Sequence, residues 1–165
     1  MLKPKIKKII RIFRTLKVQK NIGMSKGRIY IGGKTKLTKN TFLGTNCNFN
    51  GMKIIGNGKV IIGDNFHSGS ECQIITDVHN YEGVAIPYDD TYIVKDVKIN
   101  DNVWIGNRVL ILGGVTIGEG AIIQAGSVVV NDIPAYAIAG GHPCKQFSSR
   151  NAEHYEEMKS KGRFH

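Results

Sequence analysis

Disulfide-forming cysteine, long hydrophobic runs and acidic residues near the N-terminus are all scarce in this sequence. Cys47, Cys72 and Cys144 are the only cysteines in 165 residues and form no CxxC pair. That odd, scattered set argues against a disulfide framework or a zinc knuckle and fits a reducing cytoplasm. The longest apolar run near the N-terminus is Ile9-Ile10, far short of a signal-peptide core or the roughly 20 residues of a spanning helix. The chain is therefore expected to be uncleaved and not transmembrane. Four prolines beside twenty glycines with no Gly-X-Y period exclude collagen and point to many tight corners. Residues 1–39 hold thirteen Lys or Arg and no acid, whereas the other 126 residues carry ten basic against thirteen acidic side chains. The net charge of +10 thus belongs to one end, and the body is not the basic surface that binding nucleic acid requires. No nucleic-acid partner is expected.

What the sequence has is a period of six. Ile99, Ile105, Ile111, Ile117, Ile123 and Val129 recur at every sixth position, a spacing that fits neither a helix nor an ordinary strand. Four residues after each come Val103, Val109, Val115, Ala121, Ser127 and Ile133, small or branched side chains suited to a narrow interior. The same phase starts earlier, with Ile31, Leu37, Leu43, Phe49 and Ile55 as leads, and Lys53 at a fourth place breaks the rule. It then slips by one residue and resumes at Ile62, Ser68 and Ile74, which predicts a bulge near Asn57-Gly58. Phe66, Cys72 and Val78 fall at the following inward places.

A further unit begins at Ile93, so residues 80–92 are expected to be an insertion. Grouped in threes, the units predict five coils of about eighteen residues, each with three flat faces of short parallel strand stacked about 4.8 Å apart. Asp64-Asn65 and Asp101-Asn102 supply corner chemistry. The whole chain, 1–165, is expected to be a single domain, its column covering residues 31–134 and closing at Pro134.

Two helices flank the column in this reading. Residues 1–22 form a basic amphipathic helix, with Ile6, Ile9, Ile10, Phe13 and Leu16 at helical spacing among Lys3, Lys5, Lys7, Lys8, Arg11, Arg14, Lys17 and Lys20. It is suited to capping the open end of the stack or to lying on an anionic membrane surface. Within the extension 135–165, residues 149–161 predict a short exposed helix with a Glu157–Lys161 pair.

The six-residue period, Ile99-Asn-Asp-Asn-Val-Trp-Ile-Gly106, Gln124-Ala-Gly-Ser-Val-Val129 and Gly141-His-Pro-Cys-Lys145 together resemble the hexapeptide-repeat acyltransferases. Among these, the arrangement is most similar to the maltose, galactoside and polysaccharide O-acetyltransferases. The resemblance implies an all-β fold, a left-handed parallel β-helix, although chain chirality alone favours right-handed crossovers. It also implies acetyl-CoA as co-substrate, no metal, and a homotrimer whose active sites lie between subunits.

Carried over onto matching positions, the resemblance makes His79 the catalytic base, immediately before the extended loop. An imidazole is also chemically suited to accept a proton from an alcohol near neutral pH. The resemblance places CoA against Trp104, Asn107, Ala125, Gly126 and Lys145, although Val130-Asn131 replaces the Thr-Lys of some relatives. Asp77 is a candidate to orient His79, and Asn50, Tyr81, Tyr88 and Asp89 are candidates to bind the acceptor. The implied reaction is direct acetyl transfer to a sugar or polysaccharide-precursor hydroxyl in the cytoplasm, at the inner face of the membrane if the N-terminal helix binds lipid. The alternatives are a xenobiotic or serine acetyltransferase of the same family, and a non-catalytic β-helix scaffold. A zinc hydratase on the same coil would need His67, His79 and His142 to converge.

Overall fold

Stacking of the six-residue units produces a triangular column in the computed structural model, which describes residues 4–165 except the side chains of Pro4, Lys5 and Lys7. Lys3, counted above in the basic helix, lies outside the described residues, as do the side chains of Lys5 and Lys7. Face 1 stacks Ile29–Ile31, Cys47–Phe49, His67–Ser68, Trp104–Ile105, Ile122–Ile123 and Ala137–Gly141 in parallel. Cys144–Ser149 then adds an antiparallel edge to this face. Face 2 stacks Met52–Ile55, Cys72–Ile75, Leu110–Leu112 and Val128–Val129, and face 3 stacks Met24–Ser25, Thr41–Leu43, Val60–Ile62, Val97–Ile99 and Thr116–Ile117.

The lead aliphatics fill the interior as the period requires. Residues in register pile directly on one another: Ile31, Phe49, Ser68, Ile105, Ile123 and Ala139 on face 1, and Leu43, Ile62, Ile99 and Ile117 on face 3. All of them are buried, each aliphatic contributing about 1.5–3 kcal/mol relative to exposure. Phe49, in register with Ser68 of the next level, meets Phe66 at 5.3 Å between ring centroids. Ser68 Oγ is buried without a hydrogen-bond partner. Ser68→Ala is therefore expected to stabilise the protein by about 1 kcal/mol, read as a higher midpoint in denaturant unfolding.

The register corrects three details of the sequence reading. Lys53 is exposed because Met52 and Ile54, not Lys53 and Ile55, point inward, in register with Cys72 and Ile74. Against the six-residue period the chain loses one residue at the Asn50-Gly51 corner, where Gly51 has φ 142°, and regains two around 56–59. The single slip near Asn57-Gly58 is the sum of these two changes. Val78 is exposed, and Ile93 pairs with it across an antiparallel hairpin of Asp77–His79 and Tyr92–Val94. The unit expected at Ile93 is therefore not part of the column. Ile62 and Ile99 are direct neighbours on face 3, thirty-seven residues apart where eighteen would suffice, so the excursion is longer than residues 80–92.

The column also does not close at Pro134. Ala137 and Ala139 are buried, and Ala137–Gly141 stacks on Ile122–Ile123 before the chain reverses at His142-Pro143. Proline there ends the parallel strand but permits an antiparallel return.

The corner between faces 3 and 1 is built by an asparagine ladder. Asn46, Asn65 and Asn102 have φ of 53°, 54° and 60°, a left-handed conformation that asparagine tolerates better than most residues. Asn46 Nδ2 donates to Asn65 Oδ1 at 3.0 Å, and Asn65 Nδ2 to Asn102 Oδ1 at 2.9 Å. Asp64 and Asp101 accept backbone N–H groups of the level below, from Thr45 and Asp64, each at 2.7 Å.

The N-terminal helix, Pro4–Gln19, packs beside Ile29–Ile31. Val18 joins the buried core, Ile22 packs against it, and Arg14 donates to the Gly32 carbonyl at 2.8 Å. Val18 and Ile22 make the cap; of the apolar set read as suited either to capping or to a membrane surface, Ile10 is half-buried and Ile6, Ile9, Phe13 and Leu16 are exposed. The C-terminal helix, Ala152–Ser160, starts at Asn151, whose Oδ1 accepts the His154 N–H at 2.9 Å, and carries the Glu157–Lys161 ion pair.

Candidate functional site

The interruption of the column carries the most chemically capable residue. After Ile75 the chain leaves the corner between faces 2 and 3 as the Asp77–His79 strand, and the returning strand brings Tyr92 directly opposite His79. The His79 imidazole stacks on Tyr88 at 4.0 Å with 16° between ring planes, and lies 4.6 Å from the Tyr92 ring. Two aromatic faces thus hold an exposed imidazole. Tyr92 was not singled out in the sequence, and the signal for it is a pairing visible only once the hairpin is known.

The other loop residues divide between display and scaffolding. Asp89 spends its carboxylate on the loop itself: Oδ1 accepts from Thr91 N at 2.8 Å and Thr91 Oγ1 at 2.5 Å, and Oδ2 from Val84 N at 3.1 Å. These bonds, those from Thr91 first, hold its carboxyl below the ordinary range. Tyr81 is exposed at the loop surface. Asp77 Oδ2 accepts from both the backbone N–H and the side chain of Asn57, at 3.1 and 2.9 Å. The structure thus directs this carboxylate oxygen to the corner of the coil below.

A second set lines up along the corner between faces 1 and 2. Asn50, then Ser70, then Asn107, then Ala125-Gly126 occupy successive levels of it, with the Gly126 N–H donating to the Asn107 carbonyl at 2.8 Å. Lys145 lies on the antiparallel edge strand two levels above, paired with Gly140. Asn107 Oδ1 accepts from Ser70 N at 2.9 Å and from its hydroxyl at 3.3 Å, so its amide braces the corner as well. Asn50 Nδ2 is 3.2 Å from His67 Nε2. Gly126 has φ 74°, and a Cβ there would meet nothing within 4 Å. The backbone at Ala125-Gly126 is therefore open to close approach from outside, with the exposed Lys145 ammonium above it.

Trp104 stands on face 1 beside this corner, 52 % exposed, in register between His67 below and Ile122 above. Its indole forms part of the wall of a groove of about 750 Å³ that continues under the C-terminal helix to Arg150, Tyr155 and Lys159. Of the residues that the resemblance places against CoA, Trp104 alone lines that groove. His67 lines it too, and burial, then the nearby His165, lowers its pKa.

The C-terminal helix is docked through Glu119. Its carboxylate accepts from Lys159 Nζ at 2.5 Å and Tyr155 Oη at 3.0 Å. Burial opposes ionisation of Glu119, but these bonds and the Lys159 charge outweigh it and hold the carboxyl below its usual 4.5. A depressed carboxyl stabilises the fold above the unfolded value and loses that contribution as pH falls through the lowered one. The helix is expected to loosen below about pH 4.5, read as faster hydrogen exchange over 152–160, and Glu119→Gln is expected to show that exchange already at neutral pH.

The cysteines are not placed for nucleophilic work. All three are buried free thiols. Burial pushes Cys47 up to about 12 and raises Cys72 and Cys144 as well, away from the thiolate that a nucleophile needs. His67 lies on face 1, His79 at the far corner and His142 at the top of the column, and no group of three metal-ligating side chains occurs among the described residues.

Known proteins share the repeat and the fold. Residues 96–131 match the family described as Bacterial transferase hexapeptide (six repeats). A provisionally named acetyltransferase of Schizosaccharomyces pombe is 40 % identical over 107 residues, 65 % of this chain and 49 % of that protein. One from Staphylococcus aureus is 38 % identical over 115 residues, 69 % of this chain and 54 % of its own length. The chain thus spans about half the length of these curated relatives. Among solved structures, a galactoside acetyltransferase in complex with coenzyme A superposes with a TM-score of 0.70 at 27 % identity, covering 84 % of this chain and 70 % of that one. A maltose O-acetyltransferase from Clostridium difficile gives 0.61 at 32 % identity, covering 76 % and 66 %. A Vibrio cholerae hexapeptide-repeat acetyltransferase complexed with acetyl coenzyme A gives 0.60 at 25 % identity, covering 84 % and 76 %.

Proposed function

The chain belongs with the hexapeptide-repeat acyltransferases of the left-handed β-helix fold, and on that premise we propose that it is an acetyl-CoA-dependent O-acetyltransferase acting on a sugar or polysaccharide-precursor hydroxyl. The observation that supports this reading most is the placement of His79, held between Tyr88 and Tyr92 at the root of the one long excursion from the column.

Acetyl-CoA, when bound, supplies the acetyl group as a thioester. The residues on and beside the corner between faces 1 and 2 fit such a ligand: the backbone at Ala125-Gly126 is open, Lys145 offers a charge for phosphate, and Trp104 on face 1 offers an apolar wall. Asn107 holds the corner in shape. His79 takes the proton from the acceptor hydroxyl as the new carbon–oxygen bond forms, and returns it to the sulfur as the carbon–sulfur bond breaks. Backbone N–H groups stabilise the charge that develops on the carbonyl oxygen. Tyr88 and Tyr92 keep the imidazole in line, and Asp77 fixes the corner from which its strand departs. Tyr81 and the exposed face of Tyr88 offer the flat surfaces on which sugar rings rest, with Asn50 as a further polar contact.

His79 and the Ala125–Lys145 line occupy different corners of one column. A homotrimer, in which the corner of one subunit meets the excursion of the next, would bring them together. The reading places the protein in the cytoplasm. Release of CoA thiol across a panel of sugars, serine and hydroxylated drugs tests it: turnover with sugars supports it, and turnover confined to serine or drugs reassigns the acceptor. Absence of acetyl-CoA binding in calorimetry would leave a non-catalytic scaffold.

A further inference from the structure

The N-terminal helix presents its apolar side away from the column. At about 100° per residue, Ile6, Ile9, Ile12, Phe13 and Leu16 fall within an arc of about 120°, and all five are exposed, Phe13 by 69 %. The residues by which the helix holds the protein, Val18 in the core and Arg14 on the Gly32 carbonyl, lie on nearly the opposite side. An amphipathic helix on a monomer surface normally does the reverse.

The charge around this stripe has one sign. Lys8, Arg11 and Lys17 on the helix and Lys20 just after it are exposed, and so are Lys26, Arg28, Lys34, Lys36 and Lys39 on the first coil. No acid occurs before Asp64. Protein–protein interface cores are depleted in lysine, which argues against a second copy of the chain as the cover. Helices that lie in a lipid headgroup layer combine an apolar side of Phe, Leu and Ile with a Lys/Arg-rich polar side. Anionic headgroups attract such a basic collar.

We propose that the exposed stripe Ile6–Leu16 docks the protein on an anionic bilayer surface, the basic end of the column facing the lipid. The helix lies in the membrane plane and does not cross it, since no helix among the described residues is long and apolar enough to span. An acetyl acceptor carried on a lipid would then be held at the surface where the column stands. That consequence rests on the proposed transferase reading, whereas the docking does not.

The test is co-sedimentation of the full chain with phosphatidylcholine vesicles, with and without phosphatidylglycerol, in parallel with Ile9→Asp/Phe13→Asp. Binding confined to the anionic vesicles, reduced at least about tenfold by the double substitution with an unchanged thermal midpoint and sedimentation coefficient, supports the proposal. Absent binding, equal binding to both vesicles, or binding unaffected by the substitutions overturns it. Dissociation of an oligomer by the same substitutions would also overturn it, by assigning the stripe to a subunit contact. Turnover of a water-soluble acceptor by the double variant keeps failure of the docking distinguishable from failure of the transferase assignment.

Discussion

His79→Ala is expected to lower kcat for acetyl transfer by about 10²- to 10⁴-fold, the usual worth of a positioned general base, while acetyl-CoA affinity in calorimetry stays close to that of the unsubstituted protein. The split follows from location. His79 is at the excursion, whereas the groups suited to hold CoA line another corner, so removing the imidazole removes proton transfer and leaves the binding surface intact. Because His79 is exposed and packs only on the Tyr88 and Tyr92 rings, the thermal midpoint is expected to move by less than about 2 °C. An alanine variant with full kcat would sink the general-base mechanism. A variant that lost CoA binding together with kcat would place the histidine against the cofactor instead.

The period of six was legible because each lead residue must enter a narrow prism whose walls are only a few residues wide. Ile99 to Val129 obey it without exception, and the asparagine corners at Asn65 and Asn102 follow from the left-handed backbone they adopt. Where the column bends its own rule, the pattern was misread. Met52 and Ile54 are inward because one corner is a residue short, and a periodicity count compensates at the wrong place when two irregularities of opposite sign fall close together. Ile93 and Val97 stand four apart like true inward positions, yet Ile93 belongs to a hairpin whose antiparallel pairing leaves no mark at that spacing. Ala137–Gly141 was hidden for another reason: its inward residues are alanines, which carry too little hydrophobic signal to announce a strand.

The candidate site was marked in the sequence at His79, by the break in rhythm, and at Trp104, a large aromatic on an outward position. Tyr92 was not, because its value depends on facing His79 across a hairpin. Asp89 looked like a binding carboxylate and Asp77 like an orienting partner of His79; the Asp89 oxygens accept from Thr91 and Val84, and Asp77 Oδ2 accepts from Asn57. Composition identifies such groups but cannot say whether the loop consumes them. The apolar side of the N-terminal helix was equally visible, while the direction in which it points required the contacts of Val18 and Arg14.

Mixing two inactive variants is expected to restore activity. His79→Ala lacks the base. Ala125→Trp places a bulky ring on the exposed, open corner where CoA is proposed to lie, without disturbing the core, and is expected to lose acetyl-CoA binding by at least about tenfold. From corner to corner, face 2 is about six residues wide, on the order of 20 Å, whereas the reacting atoms must approach to about 3–3.5 Å. If each site joins the excursion of one subunit to the corner of its neighbour, half of the subunits in an equal mixture bring an intact His79 and half an intact Ala125. Random assortment in a cyclic trimer then rebuilds about a quarter of the sites. Co-refolding the variants and measuring CoA thiol release is expected to recover about a quarter of the unsubstituted rate, against the background of either variant alone. Were His79 and Ala125 to act within one subunit, with the pantetheine arm laid across face 2, every subunit in the mixture would still carry a defect and no activity would return. The mixture therefore decides whether the bare corner and the stacked histidine belong to one site of the assembly.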